Sequence, residues 1–244
     1  KSKYIMKNAL FISMLGEREH YDPEDYVSLC KTGKEKHWAV DWHRSIAEEA
    51  GYYLSGVDIC RGEDLPESVN IDCVILGGTF HVVTEDKSWL HKLRSWLAIY
   101  RKSKKPLLGI CGGHQMLSSQ FGNGELTNRL QGTLSGTYKI RLTEKGKSHP
   151  LFYDMSEFPS FHFGNSLHII PADDQKNSIL ATHDDSPAIV IDHGNNWYSS
   201  QFHPESNKKL WDIYFSKNVN QYESKFLDQH DGKKFISNFF NFSS

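Results

Sequence analysis

The residues predict an α/β fold: an open, mostly parallel sheet flanked by helices on both faces, with antiparallel strands at one edge. Three observations carry this. Short apolar runs, ALFISML (9–15), IDCVILGG (71–78) and PLLGI (106–110), each end in or close to glycine, the pattern of strands buried on both faces of a parallel sheet. The segments between them place apolar residues at helical spacing. From residue 132 the pattern changes, and Tyr138, Ile140 and Leu142 alternate with polar residues as antiparallel strands do.

Taken in order, ALFISML is the first core strand, stopped by Gly16. The polar stretch that follows, GEREHYDPEDYVSLCKTGKEKHW, far exceeds the usual ~2–6 residues between a strand and a helix, and loops of that length are more often functional or partner-facing than idle. Val40, Ile46, Ala47 and Ala50 then line one face of a helix that stops at Gly51, where a left-handed cap costs glycine little. YYLSGVDI (52–59) is a second strand and IDCVILGG a third. Trp89, Leu90, Leu93, Trp96, Leu97 and Tyr100 recur at helical spacing, PLLGI is the next strand, and GGHQMLSSQFG is a helix closing at Gly122. Segments 178–182 and 188–192 are short edge strands, and NNWYSSQFHPE runs a strand into a proline turn. The tail from Asn207 is helical. Its aromatic residues (Trp211, Tyr214, Phe215, Tyr222, Phe226, Phe235, Phe239, Phe240) suit amphipathic helices packed on the sheet rather than a binding groove. No repeat or low-complexity linker divides the chain, so residues 1–244 are expected to form one domain.

Composition excludes some functions. Lys and Arg number 28 against 30 Asp and Glu, a net charge of -2, so no basic field attracts nucleic acid. No run approaches the roughly 18–20 apolar residues of a membrane span, and KSKYIMKNAL has no apolar core of signal-peptide length. Cys30, Cys60, Cys73 and Cys111 lack paired spacing, which suggests a reducing compartment and a soluble, cytoplasmic protein.

Cys111 directly follows a buried strand and precedes a helix, at the carboxyl end of the sheet where open α/β folds build their sites. Gly112 and Gly113 permit the sharp strand-to-helix turn of a nucleophile elbow, and the helix N-terminus favours a thiolate. The alternative is a small buried hydrophobe, a role that suits Cys73 inside its strand better. The C-G-G-H sequence also resembles half a zinc site, but no second Cys/His pair follows at ligand spacing, so no metal is expected. A cysteine nucleophile needs a base and the base an orienter. In QFHPE (201–205), His203 ends a strand, Pro204 keeps it out of a helix, and Glu205 is close enough to turn back onto the imidazole. An ordinary solvated loop is the alternative.

Together, GICGGHQ (109–115) and QFHPES (201–206) closely resemble the signatures of class I (triad) glutamine amidotransferases, with His-Pro-Glu roughly ninety residues after the cysteine in that family's order. The likeness covers most of the chain. ILGG (75–78) resembles the family's oxyanion strand, GNSL (164–167) the segment that holds the substrate backbone, and GKKFISNFF (232–240) the last helix. The resemblance implies a flavodoxin-like three-layer fold in which Cys111 attacks the γ-amide of glutamine, His203 is acid and base, and Glu205 orients it. Gly78 and Gly112 would supply oxyanion-hole N–H groups, each worth about 3 kcal/mol in related chemistry. Gly77, Gln115, Asn165, Ser166 and Leu167 would contact substrate. No cofactor is implied. Two departures bear on the pocket: Thr79 and Phe80 follow the glycine pair where many members have proline, and Asn165 stands where relatives often carry His or Asp. Among subfamilies the likeness is greatest to GMP-synthase-like stand-alone domains.

Three functions are compatible with these motifs. One is a glutaminase that makes ammonia for a separate synthetase, since the chain has no phosphate-cradling glycine loop of its own. The second is a stand-alone γ-glutamyl hydrolase or peptidase using the same thioester. The third is a binding module that keeps the fold without catalysis, which would not require all three of Cys, His and Glu.

Overall fold

The computed structural model describes residues 5–122, 124–217 and 225–243. Its first half alternates strands and helices in the expected order: β1 (Lys7–Ser13), α1 (Glu35–Glu49), β2 (Tyr52–Asp58), β3 (Cys73–Leu76), α2 (Ser88–Lys102), β4 (Leu107–Ile110) and α3 (Gly112–Met116). The second half adds β5 (Gly124–Asn128), β6 (Leu134–Lys139), β7 (Arg141–Leu142), α4 (Glu144–Lys147), β8 (Ser160–Asn165) and β9 (Leu167–Pro171). It closes with β10 (Ile179–His183), β11 (Ser186–Asp192), β12 (Trp197–Ser200), α5 (Lys208–Lys217) and α6 (Gly232–Ser243).

The main sheet runs β2-β1-β3-β4-β12-β11-β10-β7. Pairing is parallel from β2 to β12 and antiparallel from β12 to β7, so the parallel core and antiparallel edge follow the sequence expectation. Both faces are covered. Along β1, Ala9 and Phe11 pack with Trp38 of α1 and Phe235 and Phe239 of α6, while Leu10 and Ile12 pack with Leu90, Leu93 and Leu97 of α2. Alternate side chains of one strand thus enter two different cores, which is why the strand reads as a continuous apolar run.

Three details differ from the periodicity. Helix α1 starts at Glu35, ahead of its first apolar marker, because its first turn is tied to the preceding loop: the Tyr21 hydroxyl accepts from the Glu35 N–H at 3.1 Å and donates to the Gly33 carbonyl. Helix α3 widens into a π-turn over Leu117–Phe121 before Gly122. Strands β5 and β9, and β6 and β8, form two further two-stranded sheets. GELTN and LHIIP have no apolar run to announce them, and their pairing is nonlocal. The aromatic tail divides: Phe235, Phe239 and Phe240 of α6 are core, whereas Trp211, Tyr214 and Phe215 of α5 line a cavity. Tyr222 lies outside the described residues. No helix among the described residues is long and apolar enough to cross a membrane.

Candidate active site

Cys111 sits where β4 ends and α3 begins, with φ 49° and ψ -100°, a backbone conformation that costs a non-glycine residue on the order of 1–3 kcal/mol. The surroundings enforce it. The Cys111 N–H donates to the Ser200 carbonyl of β12 at 2.8 Å, its carbonyl accepts from the Gln115 N–H at 2.9 Å, and the Gly113 N–H donates to the Gly77 carbonyl at 3.2 Å. Glycine is required beside it, since a Cβ on Gly113 would fall 2.5 Å from the Leu76 carbonyl oxygen and one on Gly112 would fall 2.5 Å from Thr79 Cγ2.

His203 follows β12, the neighbour of β4, so parallel pairing of two adjacent strands brings the distant QFHPE segment to the cysteine. Its Nδ1 shares a 2.7 Å hydrogen bond with Glu205 Oε1, and the Cys111 sulfur is close enough to act on its charge. Burial opposes charge on this imidazole, but the Glu205 carboxylate and the Cys111 sulfur outweigh it and hold the pKa well above 6.5. The result favours an imidazolium beside the sulfur.

The other expected residues divide. Gly78 lies against both groups: a Cβ there would meet His203 Cε1 at 3.0 Å and Cys111 Cβ at 3.6 Å. Gly77 is spent on the turn instead, its N–H donating to the Ile12 carbonyl at 3.0 Å and its carbonyl accepting from Gly113. Gln115 Nε2 and Asn165 Nδ2 both donate to the Leu167 carbonyl, at 3.2 and 2.9 Å, which ties α3 to the GNSL segment. The Ser166 hydroxyl bonds to Thr133 Oγ1 at 2.7 Å, and its carbonyl accepts from the Arg129 N–H at 2.9 Å. The Thr79 hydroxyl accepts from the His81 N–H at 3.0 Å and holds the turn between them. His114, the second residue of the half zinc site, is buried and bonds to the Ser199 hydroxyl at 2.7 Å. Burial pushes its pKa down to about 3, with His193 adding to the effect.

Three features escaped the sequence reading. Gln201 is fully buried and its Nε2 reaches Cys111 Sγ at 3.6 Å while its Oε1 accepts from Gln115. Its place two residues before His203, where extended residues share a side, is the signal that could have found it. Glu35 reaches the cavity from the first turn of α1 with Oε1 buried and unpartnered, and a Cβ on Gly77 would lie 3.2 Å from that oxygen. Burial, then the Glu205 charge, pushes its pKa up to about 8, only partly eased by the Ser13 hydroxyl beside it. The third feature is the aromatic lining. The cavity holds about 680 Å³, and Tyr26, Phe80, Trp211, Tyr214 and Phe215 line it together with Gln115, Asn165, Ser166 and Leu167.

Residues 40–220 match the family model for glutamine amidotransferase class-I. A relative from Methanosarcina acetivorans, imidazole glycerol phosphate synthase subunit HisH, is 30% identical over 159 residues, covering 58% of this chain and 75% of its own. Gamma-glutamyl peptidase 3 of Arabidopsis thaliana is 25% identical over 146 residues, 57% of this chain and 56% of the relative. In fold, the chain is similar to a glutamine amidotransferase from Thermotoga maritima, with a TM-score of 0.70, 17% identity, and coverage of 98% of both chains. It is also similar to a GMP-synthase-type protein from Thermoplasma acidophilum, with a TM-score of 0.63, 18% identity, and coverage of 98% and 94% of the two chains.

Proposed function

The chain belongs to the class-I glutamine amidotransferase family, and from that premise we propose that it hydrolyses the γ-amide of glutamine through a γ-glutamyl thioester on Cys111. His203 takes the thiol proton, delivers one to the leaving amine and then activates water, and Glu205 fixes the imidazole with Nε2 toward sulfur. The N–H groups of Gly78 and Gly112 stabilise the oxyanion. Gln115, Asn165, Ser166 and Leu167 bind the glutamyl part, and Gly77 supports the turn. The whole chain, 1–244, acts as one domain without cofactor or metal in a reducing, cytoplasmic setting. Its ammonia passes to a separate synthetase. Neither nucleic acid nor membrane is a partner.

The observation that carries this reading is a cysteine held at positive φ against an imidazole that is itself bonded to a buried carboxylate at 2.7 Å. The test is intact-protein mass spectrometry after incubation with a glutamine-derived diazo-ketone. A single adduct on Cys111, absent from Cys111→Ala, is expected. An unlabelled wild-type protein that also releases no glutamate from glutamine counts against the reading.

A second reading, a stand-alone γ-glutamyl hydrolase, is favoured by the size of the cavity, which exceeds what one amino-acid side chain fills. The likeness to gamma-glutamyl peptidase 3 supports it.

A further inference from the structure

Resting on the γ-glutamyl chemistry above, we propose that the aromatic part of the cavity lining is a leaving-group subsite, and that the preferred substrate is a γ-glutamyl amide whose amine bears a large apolar, aromatic group. Glutamine loses only ammonia, a small polar molecule that gains nothing from an aromatic wall. Yet one is present. Tyr26, Phe80, Val82, Trp211, Tyr214 and Phe215 line the cavity that holds Cys111, in addition to the Gln115, Asn165, Ser166 and Leu167 that would take the glutamyl part.

The wall is held against the reacting groups. The Trp211 ring stands edge-on to His203 with centroids 5.1 Å apart, and it packs so tightly on the substrate-side strand β8 that a Cβ on Gly164 would fall 2.5 Å from it. Its indole N–H donates to the Ser206 hydroxyl at 2.9 Å, and that hydroxyl donates to the His203 carbonyl at 2.9 Å. One turn further along α5, Tyr214 stacks on Phe80 with centroids 5.5 Å apart and planes within 9°. Phe80 and Val82 nevertheless remain 38% and 39% exposed at the cavity, apolar surface that a ligand ring would remove from water. Burial, reinforced by the Cys111 charge, raises the Tyr214 pKa and keeps its hydroxyl neutral beside the nucleophile.

In this reaction the Cys111 thiolate adds to the γ-carbonyl carbon and the C–N bond breaks as His203 protonates the nitrogen. The neutral amine departs past the aromatic lining. Water, losing a proton to His203, then cleaves the thioester, and glutamate and the free thiol are restored.

The experiment compares kcat/KM of the full chain on glutamine, γ-glutamylmethylamide and γ-glutamylphenethylamide, alongside diazo-ketone labelling of Cys111. Burying one phenyl group predicts a preference of about 10- to 100-fold for the phenethylamide over glutamine, with the methylamide between. Phe80→Ala and Tyr214→Ala should each lower that ratio about 5-fold or more, and Tyr214→Phe should keep it. Glutamine turned over as well as or better than the phenethylamide overturns the subsite and leaves the glutaminase reading standing, with the wall then serving a protein partner. A ratio unmoved by both alanine variants overturns it as well, as does a labelled Cys111 with no amide hydrolysed. No label and no hydrolysis of any amide removes the underlying reading too.

Discussion

Cys111 and Tyr214 face the same cavity, but different forces hold them. The floor around Cys111 is backbone: two parallel strands, a turn closed by main-chain hydrogen bonds, and glycines too closely packed to admit a methyl group. The wall around Tyr214 is side chain: stacked rings on α5, with exposed ion pairs Lys208–Asp212 and Lys217–Asp25 at 2.6 and 2.5 Å and a Lys209 contact to the Ser28 carbonyl at 2.6 Å. Backbone packing tolerates almost no displacement, whereas stacked rings and surface charges can exchange partners at little cost. In the proposed reaction, the chemistry that needs sub-ångström placement would rest on the first kind of support, and leaving-group selectivity would be altered on the second without disturbing it.

The contrast predicts a descending series of effects. Cys111→Ala should reduce turnover by about 10⁴-fold or more with an unchanged melting temperature, because only the reacting atom is lost. Activity surviving that change would move the chemistry off the floor. Gly113→Ala should destabilise the fold by roughly 3 kcal/mol in denaturant titration, since its methyl group must displace a strand carbonyl. A soft floor would show less than about 1 kcal/mol.

Glu35 joins the two regions, and its effect has a definite sign. A carboxyl raised from 4.5 to about 8 on folding contributes stability below pH 4.5 that is lost as pH rises toward 8, because the folded state must hold a proton the unfolded chain releases. Glu35→Gln removes that cost, so it should stabilise the protein by up to about 3 kcal/mol at pH 7, with the gain shrinking toward pH 5. A pH-independent difference in melting temperature would contradict the assigned ionisation. Retaining so costly a group beside His203 and Glu205 is a mark of functional sites rather than of stability. The smallest effect belongs to the wall's outer edge: Lys217→Ala should change stability by less than about 0.5 kcal/mol, as exposed ion pairs do. A larger loss would make the wall as rigid as the floor.

Much of this was legible in the residues. The strands of the parallel sheet announced themselves because burial on both faces demands continuous apolar runs, and the elbow because a residue between a buried strand and two glycines has few other conformations. QFHPE marked its own histidine and carboxylate. GELTN and the β8 and β9 strands were hidden because short, half-polar strands have no local signature, and Glu35 because a charged residue in a polar loop reads as solvated until Tyr21 is seen to fix the helix start there.

By itself the sequence determined the order of strands and helices, the turn that carries Cys111 and the short His203–Glu205 spacing, all products of local periodicity and of steric limits on a few consecutive residues. Only the tertiary structure decided that β12 lies beside β4, that Glu35 is buried next to Glu205, and that the α5 aromatics line the cavity while those of α6 enter the core. Those outcomes depend on which distant surfaces meet, and amphipathic helices with the same spacing can bury their rings against a sheet or present them to a cavity.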